Sequence, residues 1–78
     1  MIQAQLKMDS DPMTQESLEP LKVEHFYEIL HIDMGSSYTN IFLKDIPGIY
    51  NSVCFDFFED NKPINIYGDK RFNPYLSL

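Results

Sequence analysis

The sequence predicts an α+β fold: a small antiparallel sheet of four to five strands, connected in order as a meander, with one helix near the N-terminus. Three observations predict it. Apolar and polar residues alternate in "IQAQLKM", "TNIFL" and "VCFDFF", which is the mark of strands with one buried face. Turn residues separate those runs at Gly35-Ser36-Ser37, Pro47-Gly48 and Glu59-Asp60-Asn61-Lys62. Between residues 20 and 28 the apolar side chains fall instead near one face of a helix.

In chain order, Ile2, Ala4, Leu6 and Met8 alternate with Gln3, Gln5 and Lys7, so the first strand is half-buried. Asp11-Pro12 then has the form of an N-cap and first helical residue. The helix expected over residues 20–28 starts at Pro20 and places Leu21, Val23, Phe26, Tyr27 and Leu30 near one side, with Leu18 stapled onto Val23. A hairpin follows. Leu30, Ile32 and Met34 share one face, Gly35-Ser36-Ser37 turns the chain, and Thr39, Ile41 and Leu43 share the returning face. Pro47-Gly48 is the strongest local turn signal, because proline presets φ and glycine supplies positive φ. The closing hairpin sets Val53, Phe55 and Phe57 against Cys54, Asp56 and Phe58, and returns along Ile64 and Ile66. Phe72 and Tyr75 are expected to fold back over the sheet.

A chain of 78 residues makes one domain at most. Its 44% hydrophobic content with eleven aromatic rings is that of a folded protein. The single cysteine, Cys54, excludes an internal disulfide and fits a reducing compartment. No apolar run reaches the ~18 residues of a membrane span, and "MIQAQLKM" lacks the basic start and apolar core of a signal peptide. The expected location is the cytoplasm.

Motifs for chemistry are weak. His25, His31 and one cysteine do not supply the four convergent ligands of structural zinc. "DSD" at residues 9–11 opens like a calcium loop, but Pro12 and Met13 stand where ligands and the turn belong. Cys54 with His31 is the one candidate nucleophile–base pair, with no glycine-rich phosphate loop or oxyanion hole beside it. The expectation is a non-enzymatic protein without metal or cofactor.

Charge is more informative. The formal charge is −6, and residues 8–34 hold seven acids (Asp9, Asp11, Glu16, Glu19, Glu24, Glu28, Asp33) against Lys22 alone. That sign excludes direct binding to a nucleic-acid backbone or an anionic membrane. It suits a protein with a basic, nucleic-acid-binding groove. Carboxylates spaced along such a segment stand in for phosphates and exclude the real substrate. Exposed ion pairs alone are worth little, so affinity needs an apolar anchor; Met13, Leu18 and Leu21 lie among the acids. The expected contact set is Asp9, Asp11, Glu16, Ser17, Leu18, Glu19, Glu24 and Glu28.

"QESLEPLKVEHFYEIL", residues 15–30, resembles the Q-E-S-I and following acidic helix of phage-encoded uracil-DNA glycosylase inhibitors. The hairpin "SVCFDFFEDNKPINIY" resembles that family's closing hairpin in length and pattern. The resemblance implies a small acidic α+β inhibitor of phage origin. In it Glu16 and Ser17 enter the enzyme's DNA groove in place of phosphates, and Leu18 matches the isoleucine after them. The family continues with apolar residues where this chain has Glu19-Pro20. An anti-CRISPR or anti-restriction protein would share these features. A second class of function uses different residues: an interaction or self-assembly module that docks through an exposed sheet edge or an aromatic sheet face formed by Tyr38, Phe42, Phe58 and Tyr67.

Overall fold

The structure, a computed structural model, describes residues 1–77. Six antiparallel strands form one sheet: β1 (Ile2–Leu6), β2 (Phe26–Met34), β3 (Thr39–Leu43), β4 (Ile46–Asn51), β5 (Phe55–Glu59) and β6 (Lys62–Ile64). Their order across the sheet is β4-β3-β2-β1-β5-β6. The fold is therefore all-β and not α+β. The only helical pieces among the described residues are short 3-10 turns at Ser52–Cys54, Ile66–Gly68 and Pro74–Ser77.

The expected helix over residues 20–28 is replaced by turns and the start of β2. Leu21 N–H donates to the Leu18 carbonyl and His25 N–H to that of Lys22, both over three residues. Glu24 takes a left-handed φ of 71°, and its N–H donates to the Leu6 carbonyl at the end of β1. The strand then pairs Gln5 with Phe26, Ala4 with Tyr27 and Gln3 with Glu28. The physical reason lies in the side chains. Val23, Phe26, Tyr27 and Ile29 are β-branched or aromatic and favour a pleated surface. Strand pairing leaves Tyr27 and Ile29 against the core and turns Phe26 outward, while Val23, in the turn before the strand, is exposed.

The expected meander is also corrected. Strands β1 to β4 are neighbours in sequence order, but β5 returns to the far side of β1, from Ile2↔Glu59 to Leu6↔Phe55. In a flat sheet β4 and β5 would lie four intervals apart, about 19 Å at ~4.8 Å each. The four residue steps from Asn51 to Phe55 span at most about 14 Å. The sheet must roll, and it does: the Tyr50 and Phe55 rings meet edge-on, with centroids 6.3 Å apart. Asn51 holds this corner, its side-chain oxygen accepting from the Val53 N–H at the head of the 3-10 turn.

The inside of the roll is the core: Ala4 and Leu6 of β1, Ile41 and Leu43 of β3, Phe55 and Phe57 of β5, with Cys54 and Ile66. No helix covers it. Leu18 and Leu21, from the long connection between β1 and β2, close it instead, each 6% exposed.

Two strand irregularities explain where the alternation slips. Ile29 faces Leu43 but His31 faces Phe42, so Leu30 is the extra residue of a bulge and points to solvent. Pro47-Gly48 makes no hairpin turn. The reversal comes at Lys44-Asp45, with Asp45 at φ 64°. Pro47 and Gly48 lie in an irregular stretch of β4, where Ile41 faces Tyr50 but Leu43 faces Ile46. An edge strand tolerates a proline, because a missing N–H on the solvent side breaks no ladder. At the other edge Asp60 and Asn61, at φ 50° and 68°, make a two-residue turn joining β5 to β6.

Candidate functional site: an acidic loop beside a tyrosine-lined groove

The sequence singles out "DSDPMTQESLEP", residues 9–20, and the structure gives them a defined shape. Residues 7–25 leave β1 and fold back on themselves. Ser10 bridges to Ser17, the Asp11 N–H donates to the Glu16 carbonyl, and the Leu18 N–H donates to the Asp9 carbonyl. Three short polar side chains here each tie down a backbone N–H two residues on. Asp11 accepts from Met13 at 2.8 Å, Thr14 from Glu16 and Ser17 from Glu19, both at 3.3 Å.

The expected contact residues separate into three groups. Asp9, Glu16, Ser17, Glu19 and Glu24 are exposed on this loop. Asp9, Ser17 and Glu19 line one shallow cleft together with Leu21 and Val23. Asp11 and Leu18 are buried and serve the fold: the Asp11 carboxylate is spent on the turn, and Leu18 sits in the core. Glu28 is on β2, apart from the loop, with its carboxylate 3.5 Å from Lys44 Nζ. Of the three apolar anchors, Leu18 and Leu21 are buried, whereas Met13 is 76% exposed.

The charge on the loop is not neutralised by the rest of the protein. Lys7 pairs with Asp56, Lys44 with Glu28, and Arg71 with Glu59 and Asp69. Among the described residues none of Asp9, Glu16, Glu19 and Glu24 has an ion pair.

The four aromatics expected on one sheet face are not together. Phe58 packs edge-on against Phe26, and Phe42 lies against His31. Tyr38 and Tyr67 belong to a groove of about 840 Å³ that the sequence did not reveal. One wall is Met13 of the acidic loop; the turn from Gly35 to Tyr38 forms another. The corner Asn51–Val53 and the C-terminal segment, through Tyr67, Asn73 and Tyr75, complete it. The turn wall is narrow: the Gly35 N–H donates to the Tyr38 carbonyl, and a Cβ on Gly35 would lie 3.1 Å from that oxygen. Tyr67 is fixed by a hydroxyl–hydroxyl hydrogen bond to Ser52, 2.5 Å long. Asn73 donates to the Tyr67 carbonyl and accepts from the Tyr75 N–H. Tyr38 and Tyr75 are left with 66% and 48% of their surface exposed.

Arg71 holds the C-terminal wall in place. Its guanidinium makes paired 2.7 Å hydrogen bonds to both Glu59 oxygens of β5, and also binds Asp69 and lies over the Phe72 ring. Those hydrogen bonds hold the Glu59 and Asp69 carboxyls below their ordinary values and raise Arg71. With folded-state pKa values depressed, the clamp is at full strength above the ordinary carboxylate pKa of about 4. It is lost as pH falls through the lower folded-state values. Arg71→Ala is therefore expected to leave the global unfolding midpoint nearly unchanged, the clamp being solvent-exposed. It should accelerate amide hydrogen exchange at Phe72 and Asn73, whose N–H groups both donate to the Asp69 carbonyl. Acidified wild type should show the same loss of protection at these two amides, relative to the intrinsic exchange rate at that pH. Unchanged protection in the variant would show that the wall is held without the clamp.

The candidate nucleophile pair is not assembled. Cys54 is fully buried, and burial, reinforced by the Asp11 carboxylate and opposed by Lys7, pushes its thiol up to about 11. His31 is exposed on the outer side of β2. No helix among the described residues is long and apolar enough to cross a membrane.

Residues 5–78 match the model of a protein family described as Bacteriophage T4 protein Y07B. That match supports the phage origin implied by the resemblance to glycosylase inhibitors but not the glycosylase-inhibitor type, whose acidic helix is also missing here. No curated protein and no solved structure gives a significant match.

Proposed function

We propose, from the premise that this chain belongs to the bacteriophage T4 protein Y07B family, that it is a small phage-encoded inhibitor. It binds a nucleic-acid-processing protein and occupies that protein's substrate groove with the acidic loop. The observation that carries the reading is the position of the charge: Asp9, Glu16, Glu19 and Glu24 are exposed on one braced loop with no ion pair among the described residues, Lys22 is the one base among them, and Lys7, Lys44 and Arg71 pair with acids outside the loop. A loop backbone already fixed by its own turns has little further entropy to lose on docking. A field of one sign also speeds encounter with a basic groove. The reading needs no catalytic group on this chain.

The test is retention of proteins from a bacterial lysate on the immobilised protein, washed in steps of rising salt, with identification by mass spectrometry. A nucleic-acid-processing protein retained at low salt and released as salt rises is the expected result. A partner held equally at every salt concentration would place the contact on apolar surface and contradict the acidic-loop reading.

A further inference from the structure

An acidic loop alone is a poor binding site. Exposed ion pairs contribute ~0–1 kcal/mol each, and the residues that dominate interfaces are buried aromatic and apolar anchors. Leu18 and Leu21 cannot serve on this chain, because both are core residues. Met13 can: it projects from the loop and lines the tyrosine groove at the same time. The loop and the groove are therefore continuous, joined at Met13.

We propose that the groove binds an extended segment of a partner protein in which an apolar or aromatic side chain is flanked by lysine or arginine. The apolar side chain seats among Met13, Tyr38, Val53 and Tyr75, and the flanking cations reach the exposed carboxylates of the loop. This rests on the reading of the loop as a docking surface and adds the anchor it lacks. Three features of the site select the occupant. The unpaired acids of the loop that carries Met13 into the groove select a cationic partner and disfavour both nucleic acid and a second copy of this chain, which carries −6 itself. The exposed apolar surface of Met13, Val53 and the tyrosine rings selects an apolar anchor. The hydroxyls of Tyr38 and Tyr75 favour an extended backbone, whose N–H and C=O groups are free to bond, over a helix that satisfies its own.

The test uses the full chain and a displayed library of random short linear peptides, followed by fluorescence anisotropy with the selected peptides. Selected sequences should combine a large apolar or aromatic residue with lysine or arginine. Their affinity should fall about tenfold or more, about 1.4 kcal/mol, in Tyr38→Ala/Tyr75→Ala. It should be unchanged in Leu30→Ala, an exposed residue on the β2 bulge outside the groove. Glu16→Lys/Glu19→Lys should weaken the same peptides at low salt. Peptides that need the loop acids but not the tyrosines would overturn the groove and leave the loop reading intact. Peptides that need the tyrosines but not the acids would overturn the loop reading and the basic flank. A library yielding no binders would overturn the proposal outright. If the tyrosine variant misfolds, amide shifts in wild type decide: titration with a selected peptide must move Tyr38, Val53 and Tyr75, and shifts confined elsewhere would contradict the site.

Discussion

Phe55→Ala is expected to remove about a quarter or more of the protein's stability. Phe55 is 2% exposed and opposes Leu6 at the β1–β5 pairing. Its ring also meets Tyr50 of β4 and Phe57 of β5, each with centroids 6.3 Å apart. It therefore packs where the rolled sheet closes on itself. Truncating a buried phenylalanine typically costs about 3–5 kcal/mol, part lost transfer energy and part cavity. A chain of this length has about 4–12 kcal/mol in total at ~0.05–0.15 kcal/mol per residue. The collapse that could fill the cavity is restricted, because the corner is fixed by Asn51 on one side and the strand ladder on the other. Urea unfolding followed by circular dichroism should show a large fall in midpoint. A shift within the range of surface substitutions would mean that Tyr50 and Phe55 do not close the roll. Val53→Ala, two residues away and 41% exposed, should have a much smaller effect.

Glu16→Lys/Glu19→Lys should abolish partner binding while leaving the fold intact. Each reversal adds two units, so the net charge moves from −6 to −2. Neither side chain is buried, and both residues take part in the turns of the loop through backbone groups alone. The unfolding midpoint should therefore stay within the narrow range of surface substitutions. Binding should not survive, since two attractive contacts become repulsive ones in the same groove. Asp33→Lys/Asp45→Lys changes the net charge equally at two exposed acids outside the loop that hold no ion pair among the described residues, and is the matching control. If both double variants lose affinity alike, net charge governs binding and the loop has no special place. If Glu16→Lys/Glu19→Lys binds normally, substrate mimicry by this loop is wrong.

Local patterns in this sequence were more legible than their assembly. Period-two alternation places Ala4 and Leu6, then Thr39, Ile41 and Leu43, on buried faces, where the structure has them. It fails between residues 21 and 30 because Leu21, Val23, Phe26, Tyr27 and Leu30 fit a helix face while Tyr27 and Ile29 also fit a strand. The choice was made by tertiary pairing, since β1 has a strand on each side. Nothing local announces that β5 returns to β1, so the local pattern reads as a meander. The acids of the loop were legible as a run of charge, because exposure is the ordinary state of a carboxylate. Leu18 reads as an anchor in the sequence, because a lone leucine among acids does not show that its loop folds back onto a core. The groove was hidden for a related reason. Met13, Tyr38, Val53 and Tyr75 are far apart in sequence and converge only through the roll of the sheet and the clamped C-terminal segment. Tyrosines next to turn residues, after Gly35-Ser36-Ser37 and after Asn73-Pro74, were the available signal.

The central claim is that the acidic loop occupies the place of nucleic acid on its partner, and competition tests it most directly. Proteins captured from lysate on the immobilised chain at low salt would be eluted with plain duplex DNA at constant ionic strength, beside an equal charge of a short acidic peptide. Selective release of the captured protein by DNA is the expected result, because the two ligands share one groove. Retention of the partner together with the added DNA, as a ternary complex, would contradict it.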